Sequence, residues 1–382
     1  MANRKNNLFS IPDNLPFSGY DAAMKLTAKV KLLPSKEQAV GLKETLKQAN
    51  VACNSVSDIA WEHKEFHKYG LHKIAYHETR ASSGLTAQVV VRCISRVADA
   101  YKLDKKTKRK FKPLSSIAYD DRILRWYVDK SEVSIWTVNG RQRITFVCGE
   151  RQRCLLSSRQ GETDLMLHRG KFYLATICNV DEPDPKDVDD ALGIDLGIVN
   201  IAVDSDGEVH SGSQVKSVRH RHRRLRTKLK RKGTKSAKRL FNKMAGKEAR
   251  FAKDVNHTIA KHIVVKAKGT HRGIVLEDLN GIRDRVTARR SQRATLSSWS
   301  FFQLRQYISY KARLVGVPVF LVDPRNTSRT CPACGCIDKR NRPNQATFSC
   351  VSCSFAGPAD TIAADNIRRV AVNQPYADRL RA

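Results

Sequence analysis

Two acidic residues interrupt stretches of the sequence that are otherwise apolar enough to form buried strands. Asp195 lies in the stretch GIDLGI, and Glu277 lies in the stretch GIVLEDL. An ionised carboxylate in such a strand is costly unless it meets a cation. Asp360, at the start of a predicted helix in GPADTIAADNIRRV, adds a third carboxylate. If the two strands are neighbours, these carboxylates can converge on a pair of magnesium ions, which is chemistry that hydrolyses a phosphodiester.

Each acid also has a simpler interpretation. Asp195 could end a strand, and Asp360 could cap a helix. Asp278 leaves the choice of Glu277 open, because only one of two adjacent strand residues faces a given side of a sheet. The three acids together, in a strongly basic chain, favour the catalytic interpretation.

Two CxxC pairs lie near the C-terminal end of the sequence. They are separated by 15 residues, a spacing typical of a zinc ribbon, and they consist of Cys331, Cys334, Cys350 and Cys353. Four thiolates predict one structural zinc ion without an open position for water. A redox pair would need only one CxxC and a thioredoxin-like context that the sequence lacks. Cys336, next to the first pair, is interpreted as a bystander.

The charge balance points to a polyanionic partner. The 382 residues include 70 Lys and Arg against 37 Asp and Glu, a formal net charge of +33. Such an excess opposes compaction unless a polyanion neutralises it. The sequence has no apolar run near the roughly 20 residues of a membrane span and no pattern of a signal peptide. We therefore expect a cytoplasmic protein, at the bacterial or archaeal nucleoid, that binds nucleic acid and no membrane.

The basic residues are concentrated in one stretch with helical spacing. Residues 216–253 contain 17 Lys or Arg, and like charges one helical turn apart repel. Phosphate contacts would relieve this repulsion and give affinity without base specificity. A charged pair of surface helices is the simpler alternative. The residues predicted to bind nucleic acid are Arg219, Arg221, Arg223, Arg224, Arg226, Lys228, Lys230, Arg231 and Lys232.

The first half of the sequence predicts strands interrupted by helices. Residues 24–33 alternate as a strand does, and Ser35 is a candidate N-cap for helices that extend to residue 103. Residues 115–180 alternate again, with hairpin turns predicted at Asn139-Gly140 and Arg169-Gly170. All these strands could close into one β-barrel with the helices as an insertion. The acidic residues 181–190 are predicted to be a linker.

The second half predicts a separate domain that begins at Ala191. A strand at 191–198 and a hairpin turning at Asp206-Gly207 come first. After the basic stretch follow a strand at 272–279, a helix at 297–316 and a strand at 318–323. These elements carry the acids described above.

The order of these motifs resembles the TnpB family of transposon-encoded RNA-guided nucleases, which are related to type V CRISPR effectors. The motifs are GIDLGIVNIAV, the basic stretch, IVLEDLNGI, YKARLVGVPVFLVDPRNTSRTCPACG and DTIAADNI. The resemblance implies an α/β plus β fold. It comprises an RNase H-like (RuvC) nuclease domain with an inserted zinc ribbon, preceded by a wedge β-barrel with an inserted helical recognition subdomain.

The resemblance also assigns boundaries to these parts. The expected parts are an N-terminal extension with the first wedge strand at 1–34, the helical recognition subdomain at 35–104, the wedge β-barrel at 105–190, the first part of the nuclease domain at 191–325, the zinc ribbon at 326–354 and the last part of the nuclease domain at 355–382.

The resemblance further implies roles for individual residues. Asp195, Glu277 and Asp360 match the three RuvC acids and would hold two Mg²⁺ ions, so Glu277 is favoured over Asp278. The four cysteines named above match the ligands of one structural Zn²⁺. Ile362 departs from the family pattern, which has Asn at this position.

The implied function is cleavage of target DNA, directed by a guide RNA, next to a short flanking motif that the protein reads. A miniature type V CRISPR effector would use the same chemistry in another genetic context. A guide-RNA-dependent DNA-binding repressor that does not cut, or a guide-independent transposase, are further alternatives. The sequence makes no prediction of oligomeric state.

Overall fold

The computed structural model describes residues 24–279 and 301–372. The predicted N-terminal extension and the start of the helix predicted at 297–316 lie outside these residues. The chain divides into two compact units, one ending at Asp181 and the other beginning at Glu182. The domain boundaries implied by the resemblance stay predictions. Among the described helices, none is long and apolar enough to cross a membrane.

The first unit contains three long helices and a seven-stranded sheet. Its helices are α1 (Lys36–Glu62), α2 (Lys68–Ser83), α3 (Ala87–Leu103) and the short α4 (Glu150–Leu156). Ser35 caps α1 as predicted, because its hydroxyl accepts from the Gln38 N–H and the Gln38 side chain accepts from the Ser35 N–H. Three helices therefore lie between the first strand and the later strands, where the sequence predicted helices.

The sheet of the first unit is antiparallel throughout and nearly closed. Its strands are β1 (Met24–Leu32), β2 (Ile117–Tyr119), β3 (Leu124–Tyr127), β4 (Glu132–Thr137), β5 (Gly140–Val147), β6 (Arg159–His168) and β7 (Lys171–Val180), in the order β2-β6-β7-β1-β5-β4-β3. The first strand thus pairs with two strands that follow the helices, as the sequence predicted. Arg169 and Gly170, both at positive φ, form the predicted turn between β6 and β7.

The second unit is built on a mixed five-stranded sheet. Its strands are β8 (Ala191–Asp195), β9 (Asn200–Asp204), β10 (Val209–Ser211), β11 (Gly273–Glu277) and β12 (Val319–Val322), in the order β10-β9-β8-β11-β12. The pairs β10-β9 and β9-β8 are antiparallel, whereas β8-β11 and β11-β12 are parallel. This mixed sheet and the nearly closed sheet together confirm the α/β plus β class.

Helices and a small hairpin complete the second unit. The helices are α5 (Ser213–Lys232), α6 (Lys235–Met244), α7 (Lys247–Gly269), α8 (Phe301–Arg313) and α9 (Ala359–Val372). The hairpin pairs β13 (Thr347–Ser349) with β14 (Ala356–Pro358), and β14 leads directly into α9.

The parallel strands are buried on both faces, which explains their nearly continuous apolar sequence. Leu192 and Ile194 of β8 pack with Ile259 of α7 and Ile308 of α8 on one face. Ala191 packs on the other face with α9. Because side chains alternate along a strand, Gly193 and Asp195 also point toward the α9 face.

Gly193 allows α9 to lie very close to β8. A Cβ atom at Gly193 would lie 2.1 Å from the carbonyl oxygen of Ala364 and 2.7 Å from the backbone nitrogen of Arg368. Both contacts are with the backbone of α9, so no side-chain rotation could relieve them. The absence of a side chain at this residue therefore sets the position of α9, and α9 carries Asp360.

We expect Gly193→Ala to destabilise the protein by about 1–3 kcal/mol, because the added methyl group forces α9 away from the sheet. Equilibrium urea unfolding measures this loss. Gly269→Ala is the matched control, since nothing lies within 4 Å of its Cβ position. An alanine at this helix position should be neutral or stabilising by up to about 1 kcal/mol. Equal stability of the two variants would contradict the close packing of α9.

Candidate functional site

Asp195 and Glu277 end two neighbouring parallel strands. The register pairs Ile194 of β8 with Leu276 of β11, so the next residues along both strands, Asp195 and Glu277, lie side by side. Each is the last residue of its strand, and the two side chains face the same side of the sheet. The predicted neighbourhood of these two acids is therefore present in the structure.

Asp360 reaches the same edge of the sheet from the first turn of α9. One of its carboxylate oxygens, Oδ2, accepts a hydrogen bond from Nδ2 of Asn200 at 3.0 Å. The other, Oδ1, accepts from Nη2 of Arg342 at 2.9 Å. Asn200 begins β9, the strand next to β8, so these contacts hold Asp360 beside the strand that ends at Asp195.

The electrostatics of the three acids show that they lie close together. Burial, reinforced by the negative charges of Glu277 and Asp360, raises the pKa of Asp195 to about 7, while the positive charge of Arg342 acts in the opposite direction. Burial also raises the pKa of Glu277, against a hydrogen bond from Thr327 and the charge of Arg342. The structure thus brings all three predicted acids into one electrostatic cluster.

The donor set of this cluster fits hard divalent cations. Carboxylate oxygens are the ligands that Mg²⁺ prefers, and mutually repelling carboxylates gain stability from a shared positive charge. Within the described part of the chain, only the four cysteines form a group whose potential ligand atoms all lie within 4.8 Å of one another. The potential ligand atoms of the three acids are more widely spaced than those of the cysteines, and the pair of Mg²⁺ ions stays a prediction.

Asp278 has a different partner from Glu277. Its Oδ1 accepts a hydrogen bond from Nη1 of Arg305 on α8 at 2.9 Å. Glu277 instead accepts a hydrogen bond from the hydroxyl of Thr327 at 2.6 Å. The adjacent acids therefore have separate surroundings, and Glu277 is the one beside Asp195.

Sequence reasoning did not identify three residues that contact the acids, namely Asn200, Thr327 and Arg342. Thr327 is itself held in place, because the Asn366 amide donates to its carbonyl oxygen at 2.8 Å. Thr327 and Asn366 lie within motifs that carry the TnpB resemblance, and this was the available signal for them. Arg342 had no such signal, since it is one of 70 basic residues.

The four predicted zinc ligands lie together at the end of the β13–β14 hairpin where residues 350–355 connect its strands. The sulfur atoms of Cys331 and Cys353 are 3.6 Å apart, and those of Cys334 and Cys350 are 3.5 Å apart. Tetrahedral zinc with Zn–S bonds of about 2.3 Å would place sulfur atoms about 3.8 Å apart. The cluster therefore fits one structural Zn²⁺. Cys336 lies outside the group of four.

Ile362, the residue that departs from the family pattern, packs under the cysteine cluster. It shares a small core with Cys331, Cys350 and Phe348 and is buried. The apolar side chain thus joins the start of α9 to the hairpin that holds the cysteines. This contact gives the substitution a packing role two residues after Asp360.

The predicted nucleic-acid-binding residues lie on α5. Eight of them are exposed along this helix, namely Arg221, Arg223, Arg224, Arg226, Lys228, Lys230, Arg231 and Lys232. Arg219 is partly buried, and both Arg219 and Arg226 form ion pairs with Glu248 of α7. Packing of Leu229 of α5 with Ala237 and Met244 of α6 supports this surface. Most of the stretch is therefore available to a polyanion, and two of its arginines also fasten α5 to α7.

We expect Cys331→Ser to lose bound zinc and to lower the free energy of unfolding, because three thiolates and a hydroxyl hold zinc less tightly than four thiolates. Elemental analysis of the purified protein measures the zinc content directly. Cys336→Ser is the matched control and should keep one zinc ion per chain. Zinc loss from both variants, or from neither, would contradict the assignment of the four ligands.

The pKa of Asp195 predicts a pH dependence of stability without added divalent ions. The pKa of this carboxyl is near 4 in an unfolded chain and about 7 in the folded protein. Between these two pH values, the carboxyl therefore takes up a proton when the chain folds. The folded state therefore binds more protons in this window, and stability should fall as pH rises through it. Urea unfolding should show a flatter dependence for Asp195→Asn. Parallel pH profiles for the two proteins would show that Asp195 does not have this raised pKa.

Comparison with known proteins identifies two family models and several relatives. The model described as "Probable transposase" (OrfB_IS605) matches residues 176–281, and the model described as "Cas12f1-like, TNB domain" matches residues 301–367. The mini-RNA-guided endonuclease CRISPR-Cas_phi3 has a similar structure, with a TM-score of 0.57, 11% identity and 92% of both chains covered. At this identity, the likeness shows a shared fold.

Several relatives match at the level of sequence, among them the following two. The chain is 30% identical to CRISPR-associated endodeoxyribonuclease Cas12f1 of Sulfoacidibacillus thermotolerans, over 60% of this chain but only 58% of that protein. It is also 30% identical, over 195 residues, to the TnpB-like protein MJ0751 of Methanocaldococcus jannaschii, which covers 48% of this chain and 69% of that protein. With this relative matched over more than two thirds of its length, the chain belongs to the TnpB family.

Proposed function

We propose that this protein is an RNA-guided DNA endonuclease of a transposon, which cleaves target DNA beside a short flanking motif. The observation that carries the proposal is the convergence of Asp195, Glu277 and Asp360 at one edge of a mixed sheet. In this proposal, the second unit is the RuvC-like nuclease domain, and the first unit is a wedge β-barrel with a helical recognition subdomain. The names of the Cas12f1 and CRISPR-Cas_phi3 proteins, which describe nucleases, support it.

The three acids would hold two Mg²⁺ ions. Ions bound there would activate a water molecule and stabilise the leaving 3′ oxygen of the phosphodiester. Thr327 orients Glu277 by donating to its Oε1 atom, which leaves the other carboxylate oxygen for a ligand. Asn200 orients Asp360 by donating to its Oδ2 atom, while Arg342 donates to its Oδ1 atom.

Arg342 would contribute positive charge at the edge of the acid cluster. In the present structure its guanidinium donates to Asp360 at 2.9 Å and to the carbonyl oxygen of Gln345 at 3.0 Å. A guanidinium can also bind a phosphate through several hydrogen bonds. Arg342 is therefore placed to contact a phosphate that approaches the acids.

The exposed basic residues of α5 would bind the phosphate backbone of the guide–target duplex. Such contacts depend on charge and not on base identity, so base pairing with the guide RNA would select the target. The genetic context of a miniature CRISPR effector is the second candidate, and the match to a Cas12f1-like family model favours it. Both candidates share the same site and chemistry.

We expect Asp195→Ala to abolish DNA cleavage while leaving RNA binding unchanged, because the substitution removes a metal ligand and no basic residue. The test uses the protein purified with its bound RNA, and that RNA is sequenced. The substrate is a plasmid library in which a target complementary to the RNA lies beside a randomised flanking sequence. Agarose gels and sequencing of cut ends measure cleavage in added Mg²⁺.

Asp278→Asn is the control for loss of one acid at this end of the sheet, and it should cleave as the wild type does. Full cleavage by Asp195→Ala would overturn the proposed site. The absence of any abundant co-purifying RNA would instead overturn the guided mechanism and favour a guide-independent transposase.

A further inference from the structure

A second basic segment lies in the first unit, between α3 and β2. Residues 105–112, with the sequence KKTKRKFK, contain six Lys or Arg and no acid. We call these eight residues the lysine segment. Neither a helix nor a strand includes it, so hydrogen bonds of a regular element do not fix its backbone.

Polar side chains of α1 fix the backbone of the lysine segment instead. The hydroxyl of Ser57 donates to the carbonyl oxygen of Arg109 at 2.7 Å. The amide of Asn54 brackets Phe111, because its oxygen accepts from the Phe111 N–H at 2.8 Å and its nitrogen donates to the Phe111 carbonyl oxygen at 3.0 Å. Asn50 donates to the carbonyl oxygen of Ser115 at 3.0 Å, just beyond the segment.

These three residues of α1 are spaced four and three residues apart, so they form one stripe on the helix. Asn50 and Ser57 are fully buried. The buried hydroxyl of Tyr101 adds a further contact, accepting from the Arg109 N–H at 3.2 Å. Buried polar residues in a helix are costly unless they are paired, and here the segment's backbone supplies partners for Asn54 and Ser57.

Side chains along the segment alternate between the core and solvent. Arg109 and Phe111 are partly buried, and the guanidinium of Arg96 lies over the Phe111 ring at 4.8 Å. Lys108, Lys110 and Lys112 are exposed. Where the chain is extended, alternate residues lie about 6.6 Å apart, so the lysines form a regular row of positive charges.

The described acids balance only part of this charge. Arg109 pairs with Asp104 at 3.2 Å, and Lys108 pairs with Asp58 at 2.8 Å. Lys110 and Lys112 project toward solvent without an acid within the segment. Like charges held in a row on a fixed backbone repel one another, and a bound polyanion would relieve this repulsion.

We propose that the lysine segment is a preordered binding site for the phosphodiester backbone of a nucleic acid. This inference takes from the proposed function only the class of ligand, which is a nucleic acid. Because Ser57, Asn54 and Tyr101 already order the backbone, binding would not have to repay the entropy of ordering it. The site lies in a different unit from the basic helix α5, so each can be changed without altering the other.

The test removes three exposed lysines together, as Lys106→Gln, Lys110→Gln and Lys112→Gln. Fluorescence anisotropy measures binding of a single-stranded RNA oligonucleotide and, separately, of a DNA duplex over a range of salt concentrations. We expect the slope of log K against log salt to become shallower by about two to three in at least one arm, since each lost phosphate contact removes about 0.7 to 0.9. The arm that changes identifies the nucleic acid.

The matched control carries Lys36→Gln, Lys43→Gln and Lys130→Gln, which remove the same charge from exposed positions of the same unit. Its slope should change by less than half as much. An equal change in the control, or no change in the lysine-segment variant in either arm, overturns the inference. If the wild type binds neither probe, the proposed function fails as well.

A second variant tests the preordering without changing the charge. Asn54→Ala removes the two hydrogen bonds to Phe111 and should weaken binding of the nucleic acid roughly tenfold. The reason is that binding would then have to order about one additional backbone residue, which costs about 1–2 kcal/mol. The salt slope should stay unchanged, because all lysines remain. A melting curve confirms that the variant is folded under the conditions of the assay. Unchanged affinity of the folded variant would show that the backbone contacts play no part in binding.

Discussion

The mutual repulsion of three carboxylates is the constraint on which the second unit depends. Asp195 and Glu277 come together with Asp360, burial already disfavours the charges of Asp195 and Glu277, and the raised pKa of Asp195 reflects this cost. The repulsion must be offset by packing elsewhere. The two apolar faces of the mixed sheet provide that packing, and the close approach of α9 at Gly193 prevents Asp360 from moving away. A functional site of this kind is held together by its surroundings, against its own charges.

The segment that contains the four cysteines also contains, or leads directly into, residues of the acid cluster. Thr327 lies between β12 and the first cysteine pair, Arg342 lies between the two pairs, and the second pair is followed by α9, which begins one residue before Asp360. Ile362 joins α9 to the core beneath the cysteines. A metal ion bound by four thiolates would therefore fix the path of the chain that delivers three residues to the site. This arrangement would explain why a cysteine cluster that fits zinc lies just before the proposed catalytic acid Asp360.

Features with a local cause could be predicted from the sequence, and features that depend on distant partners could not. An apolar strand with one acid, a pair of CxxC motifs and the Arg169-Gly170 turn each have a signal within a few residues. Arg342 has none, because only folding of the ribbon brings it to Asp360. The pairing of Arg219 with Glu248 similarly depends on the packing of α5 against α7. Asn50 and Asn54, which are unfavourable in a helix by local propensity, become explicable only through the backbone of residues 111–115 that they bind.

The described part of the chain thus carries positive and negative charges that its own ion pairs balance only in part, and three different structural features hold them in place. A small apolar core supports the basic helix α5, whereas hydrogen bonds from α1 support the lysine segment. The acid cluster has the opposite sign and is fixed by sheet register and by α9. A bound polyanion would relieve repulsion in the basic segments, and bound divalent cations would relieve it among the acids, so both classes of ligand would stabilise the folded state that binds them. Because these gains arise from separate residues, the stability of this protein should respond to nucleic acid and to metal ions through distinct side chains.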